Sequence, residues 1–161
     1  MSEIYQLEKW VWSEADFEVM GWHDSRIHAL AFLLDEFEMV FDIDYILQWV
    51  HPQIEETHFK FWVSPATLVF ENVYDVEFDI GSFAGKLEID SIKRDDERPP
   101  RNGQYIKKQA EWKWIIICQE GEIRFHSTGY KQYIRANPIL ISTQILKSES
   151  RGVSFLRDKI D

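Results

Sequence analysis

The sequence has almost no cysteine. Cys118 is the single cysteine among 161 residues, so an intramolecular disulfide and a cysteine-rich zinc site are both excluded. Cys118 ends the apolar run 114–118, whereas reactive cysteines lie in polar, electropositive surroundings. The sequence therefore predicts a buried, unreactive thiol.

Long apolar runs are also missing. None approaches the roughly 18 residues that a membrane-spanning helix needs. The first residues lack the basic and apolar regions of a signal peptide. We expect a cytoplasmic protein that does not bind membranes.

Basic residues are scarce in the first part of the chain. Residues 1–90 contain 19 acidic and 4 basic side chains, a net charge of −15. Residues 91–161 contain 9 acidic and 14 basic side chains, a net charge of +5, and the whole chain carries −10. Because nucleic acids and anionic membranes are bound by basic surfaces, the charge disfavours both as partners. It permits a basic protein partner.

Motifs of the common enzyme classes are absent. The chain has no glycine-rich nucleotide loop, no Walker loop, no His-Glu-x-x-His motif and no EF-hand. His126 precedes Ser127, but no acidic partner or nucleophile elbow accompanies the pair, so a catalytic triad is not indicated. We expect no catalytic residues and no cofactor, which favours a non-enzymatic protein.

The dominant pattern is an alternation of apolar and polar residues with a period of two, which is typical of β-strands. One short helix is predicted near residues 13–20, where Ser13 can cap and Asp16 can reach back. The sequence predicts one mainly β domain over residues 1–161. Its expected form is an antiparallel β-sandwich or a flattened barrel with one short N-terminal helix.

A hairpin is predicted from residues 26–33 and 37–45, joined by residues 34–36. Its core face is expected to pair small residues with large ones. The predicted pairs are Leu33/Phe37, Ala31/Met39, Ala29/Phe41 and Ile27/Ile43. On the opposite face, His28 is expected to meet Asp42 and Arg26 to meet Asp44.

Two features are predicted to interrupt the strands. Pro65 is expected to separate a strand at 59–63 from another at 66–70, because proline cannot donate to a central ladder. Residues 93–108 are charged, contain proline and have few apolar side chains, which predicts a mobile surface loop.

The stretch Gly21-Trp22-His23-Asp24-Ser25 is the most distinctive in the chain. A His-Asp pair can serve acid–base chemistry or metal binding. In one interpretation, Trp22, His23 and Asp24 line a pocket for a small molecule or a metal. In the other, Asp24 and Ser25 bond backbone amides where a strand begins, while Trp22 and His23 pack over the end of the sheet.

A second acidic pair, Asp42 and Asp44, alternates on one face of the predicted hairpin. With His28 opposite, these carboxylates could bind a divalent cation. A solvated sheet face balanced by Arg26 explains the same residues, and we favour that interpretation. No set of metal ligands is predicted.

The run Trp22-His23-Asp24-Ser25-Arg26-Ile27, followed by an alternating strand and later by residues 68–73 (Leu-Val-Phe-Glu-Asn-Val), resembles a group of small bacterial proteins. Members of this group are uncharacterised or are immunity proteins of polymorphic toxin systems. The resemblance covers residues 17–92 and implies a β-rich domain without established catalytic residues. Many toxins of such systems are enzymes with basic clefts.

Charge and resemblance together predict an acidic binding protein, for instance an immunity protein that neutralises a basic toxin. The alternative is a β-barrel or sandwich that binds a small molecule or metal near Trp22, His23 and Asp24. The sequence leaves the oligomeric state open. The acids expected to stay unpaired, and therefore to contact a basic partner, are Asp35, Glu36, Glu38, Glu55 and Glu56.

Overall fold

The computed structural model describes residues 3–159, and this part of the chain is built almost entirely from β-strands. The strands are β1 (Val11–Ser13), β2 (Ser25–Leu33), β3 (Glu38–Val50), β4 (Lys60–Glu71), β5 (Tyr74–Ile80), β6 (Glu88–Arg98), β7 (Glu111–Cys118), β8 (Gly121–Ser127), β9 (Gly129–Ile134) and β10 (Ile139–Ile141). The helical segments are two 3₁₀ turns, Glu14–Val19 and Leu34–Glu36, and α1 (Ser148–Arg151). The predicted mainly β class is confirmed.

The strands form one open antiparallel sheet. Their order is β1-β9-β4-β3-β2-β6-β7-β8-β5, and β10 also pairs with β4. The arrangement is consistent with the predicted sandwich or flattened barrel. Among residues 3–159, no helix is long and apolar enough to cross a membrane.

Strand β2 marks the place where the sheet folds onto itself. It pairs with β3 from Ile27 to Leu33, but with β6 only through Ser25 and Arg26. The strands on either side of β2 therefore face each other as two layers, and aromatic rings from both fill the core. The ring centroid of Phe70 on β4 lies 4.7 Å from Phe125 on β8 and 5.3 Å from Trp114 on β7.

Cys118 lies in this core, as predicted. Burial, reinforced by the nearby charge of Glu120, raises the pKa of its thiol to about 12. The thiol is therefore protonated and unreactive at neutral pH.

The predicted N-terminal helix is present as the 3₁₀ turn Glu14–Val19. The Ser13 side chain accepts a hydrogen bond from the Ala15 backbone N–H at 3.3 Å. The Asp16 carboxylate accepts one from the Ser13 N–H at 3.0 Å, so the expected capping pair is confirmed. A hydrogen bond from Lys9 holds the pKa of Asp16 below its usual value.

The hairpin of β2 and β3 is confirmed, but most of its predicted register is wrong by one residue. Ile27 pairs with Ile43 as expected, whereas Ala31 pairs with Val40 instead of Met39. A β-bulge between Ile27 and Ala29 takes up the extra residue. The predicted contact pairs of the outer face change with it, because His28 contacts Asp44 at 2.7 Å rather than Asp42.

Pro65 does not separate two strands, as was predicted, because β4 continues through it from Lys60 to Glu71. On one side of β4, Ala66 pairs with Ile134 of β9 and Val63 pairs with Ile139 of β10. Pro65 lies between these partners, opposite residues 135–138, so no ladder hydrogen bond requires its missing N–H.

The predicted loop at 93–108 is strand in its first part, because β6 extends to Arg98. Within β6, Ile92 is buried and Arg94 is partly buried, whereas Lys93 and residues 95–98 are exposed. The guanidinium carbon of Arg94 lies 4.5 Å from the ring of Phe17 and 4.6 Å from that of Trp112. The Arg94 guanidinium group therefore packs against aromatic rings in cation–π contacts, while the charged residues after it face solvent.

Strand β3 is buried on both faces, which the alternating pattern did not predict. Phe41 and Ile43 lie in the core between the layers, while Ile46 packs with Val63 of β4 and Leu146 in a second apolar cluster. Residues 142–159, which we name the C-terminal segment, cover this outer face.

Candidate functional site

The three residues of the predicted pocket differ in exposure and in the side chains that they contact, and the pocket itself stays a prediction. The Trp22 side chain is buried in the core, 3% exposed, and its Nε1–H donates to Gln132 Oε1 at 2.8 Å. The His23 side chain is 59% exposed and stacks on Trp49 with ring centroids 5.9 Å apart. Asp24 takes a left-handed conformation, with φ of 65°, and its Oδ1 lies 3.6 Å from His23 Nε2.

Asp42 and Asp44 are fully buried, which contradicts the prediction of a solvated face. Asp42 accepts hydrogen bonds from Arg135 at 2.8 Å, from Arg151 at 2.6 and 2.9 Å, and from the Ser154 backbone N–H at 3.0 Å. We name Asp42, Asp44, His28, Arg135 and Arg151 the buried charge network. Both its arginines lie in the basic second part of the chain, so the two halves of opposite charge meet inside the protein.

The second aspartate of the network, Asp44, accepts hydrogen bonds through Oδ2, while its Oδ1 has no hydrogen-bond partner in the described residues. Asp44 contacts His28 Nε2 at 2.7 Å, Arg151 Nε at 3.0 Å and the Leu146 N–H at 3.0 Å. Its oxygens therefore serve to hold the C-terminal segment. In the described residues, no group of three or more His, Cys, Asp or Glu side chains is placed to hold a metal ion.

The network sets the ionisation of Asp42. Burial alone would raise the pKa of this carboxyl, but the hydrogen bonds from Arg151, Arg135 and Ser154 outweigh burial and hold the pKa below its usual value. Asp42 is therefore a carboxylate at neutral pH, which keeps both guanidinium groups paired.

Two of the acids that were expected to be unpaired have partners, which corrects their prediction. Glu38 binds Arg157 of the C-terminal segment at 2.7 Å. Glu56 lies 3.3 Å from Lys60 and accepts a hydrogen bond from the Gln53 N–H, and these contacts hold its pKa below the usual value. Both carboxylates are thus less available to a partner than the sequence indicated.

The remaining three acids are exposed, and none forms an ion pair within residues 3–159. Asp35 and Glu36 precede β3, whereas Glu55 follows it. Because β3 runs from Glu38 to Val50, these two groups are separated by a strand of roughly 40 Å. They cannot form one binding surface, so only one group can lie at the centre of a standard interface.

Asp35 and Glu36 lie in the turn between Leu34 and Phe37, two exposed apolar residues that the sequence analysis did not identify as exposed. Phe32, Leu34, Phe37 and Phe78 are all exposed, and the rings of Phe32 and Phe78 meet edge to face at 6.1 Å. We name these six residues the hairpin-tip surface. The available sequence signal was that Leu34 and Phe37 enclose two acids in a turn, where apolar residues are uncommon.

Phe37 was predicted to begin the core face of β3, and this prediction is wrong. It ends the 3₁₀ turn in the left-handed region, with φ of 56°, and its side chain is 68% exposed. Its N–H donates to Leu34 O at 3.3 Å, and its carbonyl accepts from the Val73 N–H at 2.9 Å. The backbone at the tip is thereby tied to both the turn and the β4–β5 connection, while the ring points to solvent.

A second group of polar residues, at the start of β7, holds the loop after β6 to the sheet. Glu111 is buried and accepts hydrogen bonds from the Tyr74 hydroxyl and the Arg101 N–H. Burial alone would raise the pKa of Glu111, but these bonds and the charge of Arg98 lower it overall. Burial and Glu111 raise the pKa of Tyr74, whose ring stacks on His126 at 4.8 Å. The Tyr74 hydroxyl and the Arg101 N–H both donate to Glu111, and these hydrogen bonds anchor the chain after β6.

No family model matches the chain, and no curated protein or solved structure is significantly similar to it. The resemblance to bacterial immunity proteins therefore stays a prediction from the residues.

Proposed function

We propose that this protein binds a basic protein partner through the hairpin-tip surface. The observation that carries the proposal is that two carboxylates without ion-pair partners in the described residues lie between exposed Leu34 and Phe37, at the end of a hairpin that also exposes Phe32. Protein interfaces combine aromatic anchors with a polar rim, and the anchors contribute most of the binding energy. Phe32, Phe37 and Phe78 would be the anchors, and Asp35 and Glu36 the rim.

The conformation of Phe37 supports a binding role. A bulky residue in the left-handed region costs about 1–3 kcal/mol, and burying its ring would normally offset such a cost. At the hairpin tip the ring stays largely exposed, so the fold gains little from it. A partner that covers the ring would explain why this side chain is presented to solvent.

Electrostatics supports a basic partner. The chain carries −10, and the hairpin tip belongs to the N-terminal part, whose net charge is −15. Complementary charge accelerates encounter and disfavours acidic competitors. A toxin with a basic cleft, as the resemblance suggests, is one partner of this kind, and the protein would then act as its inhibitor without performing chemistry.

The proposal is tested by placing a photo-crosslinking side chain on the tip. Phe37 and, as a matched control, Tyr105, an exposed aromatic in the loop after β6, are replaced one at a time by p-benzoylphenylalanine in the full chain. We expect a basic protein to crosslink at position 37 and not at position 105. The captured protein, once purified, should bind the wild-type chain, with weaker affinity for Asp35→Asn/Glu36→Gln.

Capture of the same proteins at both positions would contradict the proposal. An acidic captured protein would also contradict it, as would a basic one whose affinity is unchanged by the double substitution. A circular dichroism spectrum of each variant controls for folding.

A further inference from the structure

A cavity of about 340 Å³ lies between β4, the β9–β10 connection and the C-terminal segment. Its apolar wall is formed mainly by Val63, Pro65, Ile139 and Leu146. Arg135 and Arg151 of the buried charge network also line it. A cavity of this size is at the lower end of the range that small-molecule sites occupy.

The two arginines are themselves buried, with side chains 1% and 4% exposed. The terminal nitrogens of Arg135 donate to Asp42, to Thr67 Oγ1 and to the carbonyl of Ser154. Its Nε–H, however, has no hydrogen-bond partner in the described residues. A buried N–H without an acceptor is costly, so an oxygen from outside the chain is expected beside it.

Arg151 repeats this pattern. Its terminal nitrogens donate to Asp42 and to the Ile43 carbonyl. Its Nε lies 3.0 Å from an oxygen of Asp44, but outside hydrogen-bonding geometry, and is also without a partner. The polar side of the cavity therefore presents two guanidinium groups, of which Arg135 has an N–H without an acceptor, while Arg151 Nε faces Asp44 Oδ1.

We propose that this cavity binds a small carboxylate with a hydrocarbon body. The carboxylate would accept from the guanidinium N–H groups, which match its geometry, while the hydrocarbon would contact Val63, Ile139 and Leu146. At roughly 30 Å³ per heavy atom, the cavity accommodates about ten non-hydrogen atoms. Such a ligand would bridge the sheet and the C-terminal segment, and this site is independent of the hairpin-tip surface.

The test uses octanoate, whose ten non-hydrogen atoms match the cavity, at concentrations below micelle formation. We expect a saturable rise in the melting temperature of the full chain. Acetate supplies the carboxylate without the hydrocarbon, and octan-1-ol the hydrocarbon without the charge, so neither should produce the rise. Methyl NMR shifts of Ile139 and Leu146, absent from remote methyl groups, should locate the binding.

Three variants leave Arg135 and Arg151 unchanged, because these arginines also pair with Asp42. Ser150 lines the cavity and its side chain is exposed, so Ser150→Asp adds a repelling charge at the rim without disturbing the core. We expect it to weaken octanoate binding by roughly tenfold or more. Asn102→Asp, which adds the same charge in the distant loop after β6, should leave the affinity unchanged. Ile139→Trp, which fills the cavity, should abolish the rise.

The proposal is overturned if octanoate gives no saturable shift, which would leave water as the occupant of the cavity. It is equally overturned if octan-1-ol acts as strongly as octanoate, or if Ser150→Asp and Asn102→Asp bind octanoate alike.

Discussion

Phe37 has a backbone conformation that is unfavourable for the fold, and we propose that its exposed ring binds a partner. Its left-handed conformation, at φ of 56°, is one that asparagine tolerates much better than phenylalanine. Its exposed ring contributes little to the core. Stability and partner binding should therefore respond in opposite directions when this residue is changed.

We expect Phe37→Asn to raise the free energy of unfolding by about 1 kcal/mol, because backbone strain is relieved and little packing is lost. Urea denaturation measures the change. Phe83→Asn, which also replaces an exposed phenylalanine, serves as the control and should change stability by less. A loss of stability in Phe37→Asn would contradict the reading of its backbone as strained.

Asp42 is a residue on which the fold depends directly. Asp42→Asn would leave the buried guanidinium group of Arg135 without its counter-charge and that of Arg151 with Asp44 alone. We expect the free energy of unfolding to fall by about 3–5 kcal/mol. Asp35→Asn, at an exposed carboxylate without an ion pair in the described residues, should change it by less than about 0.5 kcal/mol. Equal effects in a denaturation experiment would contradict a central role for the network.

The same residue predicts a pH dependence. The pKa of Asp42 is lower in the folded protein than in the unfolded chain, where it is about 3.9. Its contribution to stability is therefore fully present above the unfolded pKa and is lost as the pH falls through the lower, folded pKa. Between about pH 5 and pH 2, wild type should lose more unfolding free energy than Asp42→Asn. Parallel pH profiles for the two proteins would contradict this prediction.

The C-terminal segment is the element that completes the fold. It buries the outer face of β3 and β4 through Leu146 and supplies Arg151 to Asp42 and Arg157 to Glu38. Without it, a face of the sheet that carries two aspartates between valines and isoleucines would lie open to water. The segment acts as a cover that is held by charge as well as by apolar contact.

Two leucine-to-alanine substitutions can distinguish the buried part of the C-terminal segment from its exposed part. Leu146 is buried in the second apolar cluster, whereas Leu156 is exposed. We expect Leu146→Ala to reduce the free energy of unfolding by about 2–4 kcal/mol through the cavity it leaves. Leu156→Ala should cost well under about 1 kcal/mol. If guanidinium denaturation gives the reverse order, the segment does not pack as described.

At the scale of the whole molecule, charge is distributed so that opposite halves meet inside while acids remain at both ends of β3. An encounter with a basic partner should therefore be accelerated by acids close to the contact and little affected by distant ones. At physiological salt the screening length is about 8 Å, far less than the roughly 40 Å between the ends of β3.

For a partner identified by crosslinking, we expect Asp35→Asn/Glu36→Gln to lower the association rate and to flatten its dependence on salt. Glu55→Gln, at the other end of β3, should change the rate much less. Stopped-flow kinetics at several salt concentrations measures both. A larger effect from Glu55→Gln would move the binding surface to the opposite end of the molecule.

Local patterns in the sequence were enough to predict the fold class, most strand positions, the Ser13 cap, the buried thiol and the unequal distribution of charge. These features are predictable because alternation and capping depend on residues that are close in the sequence, and composition needs no structure at all. Even the hairpin was predictable, apart from a bulge at His28 that shifts the register by one residue.

Which charged residues are buried, and which partners they have, depends on long-range contacts. Asp42 and Asp44 read as a solvated face, because no local pattern shows that Arg135 and Arg151, more than ninety residues later, fold back onto them. The same is true of Trp22, which the fold buries while the neighbouring His23 stays exposed. Of the five acids predicted to contact a partner, a long-range contact pairs Glu38 with Arg157, whereas Asp35, Glu36 and Glu55 stay exposed without an ion pair in the described residues.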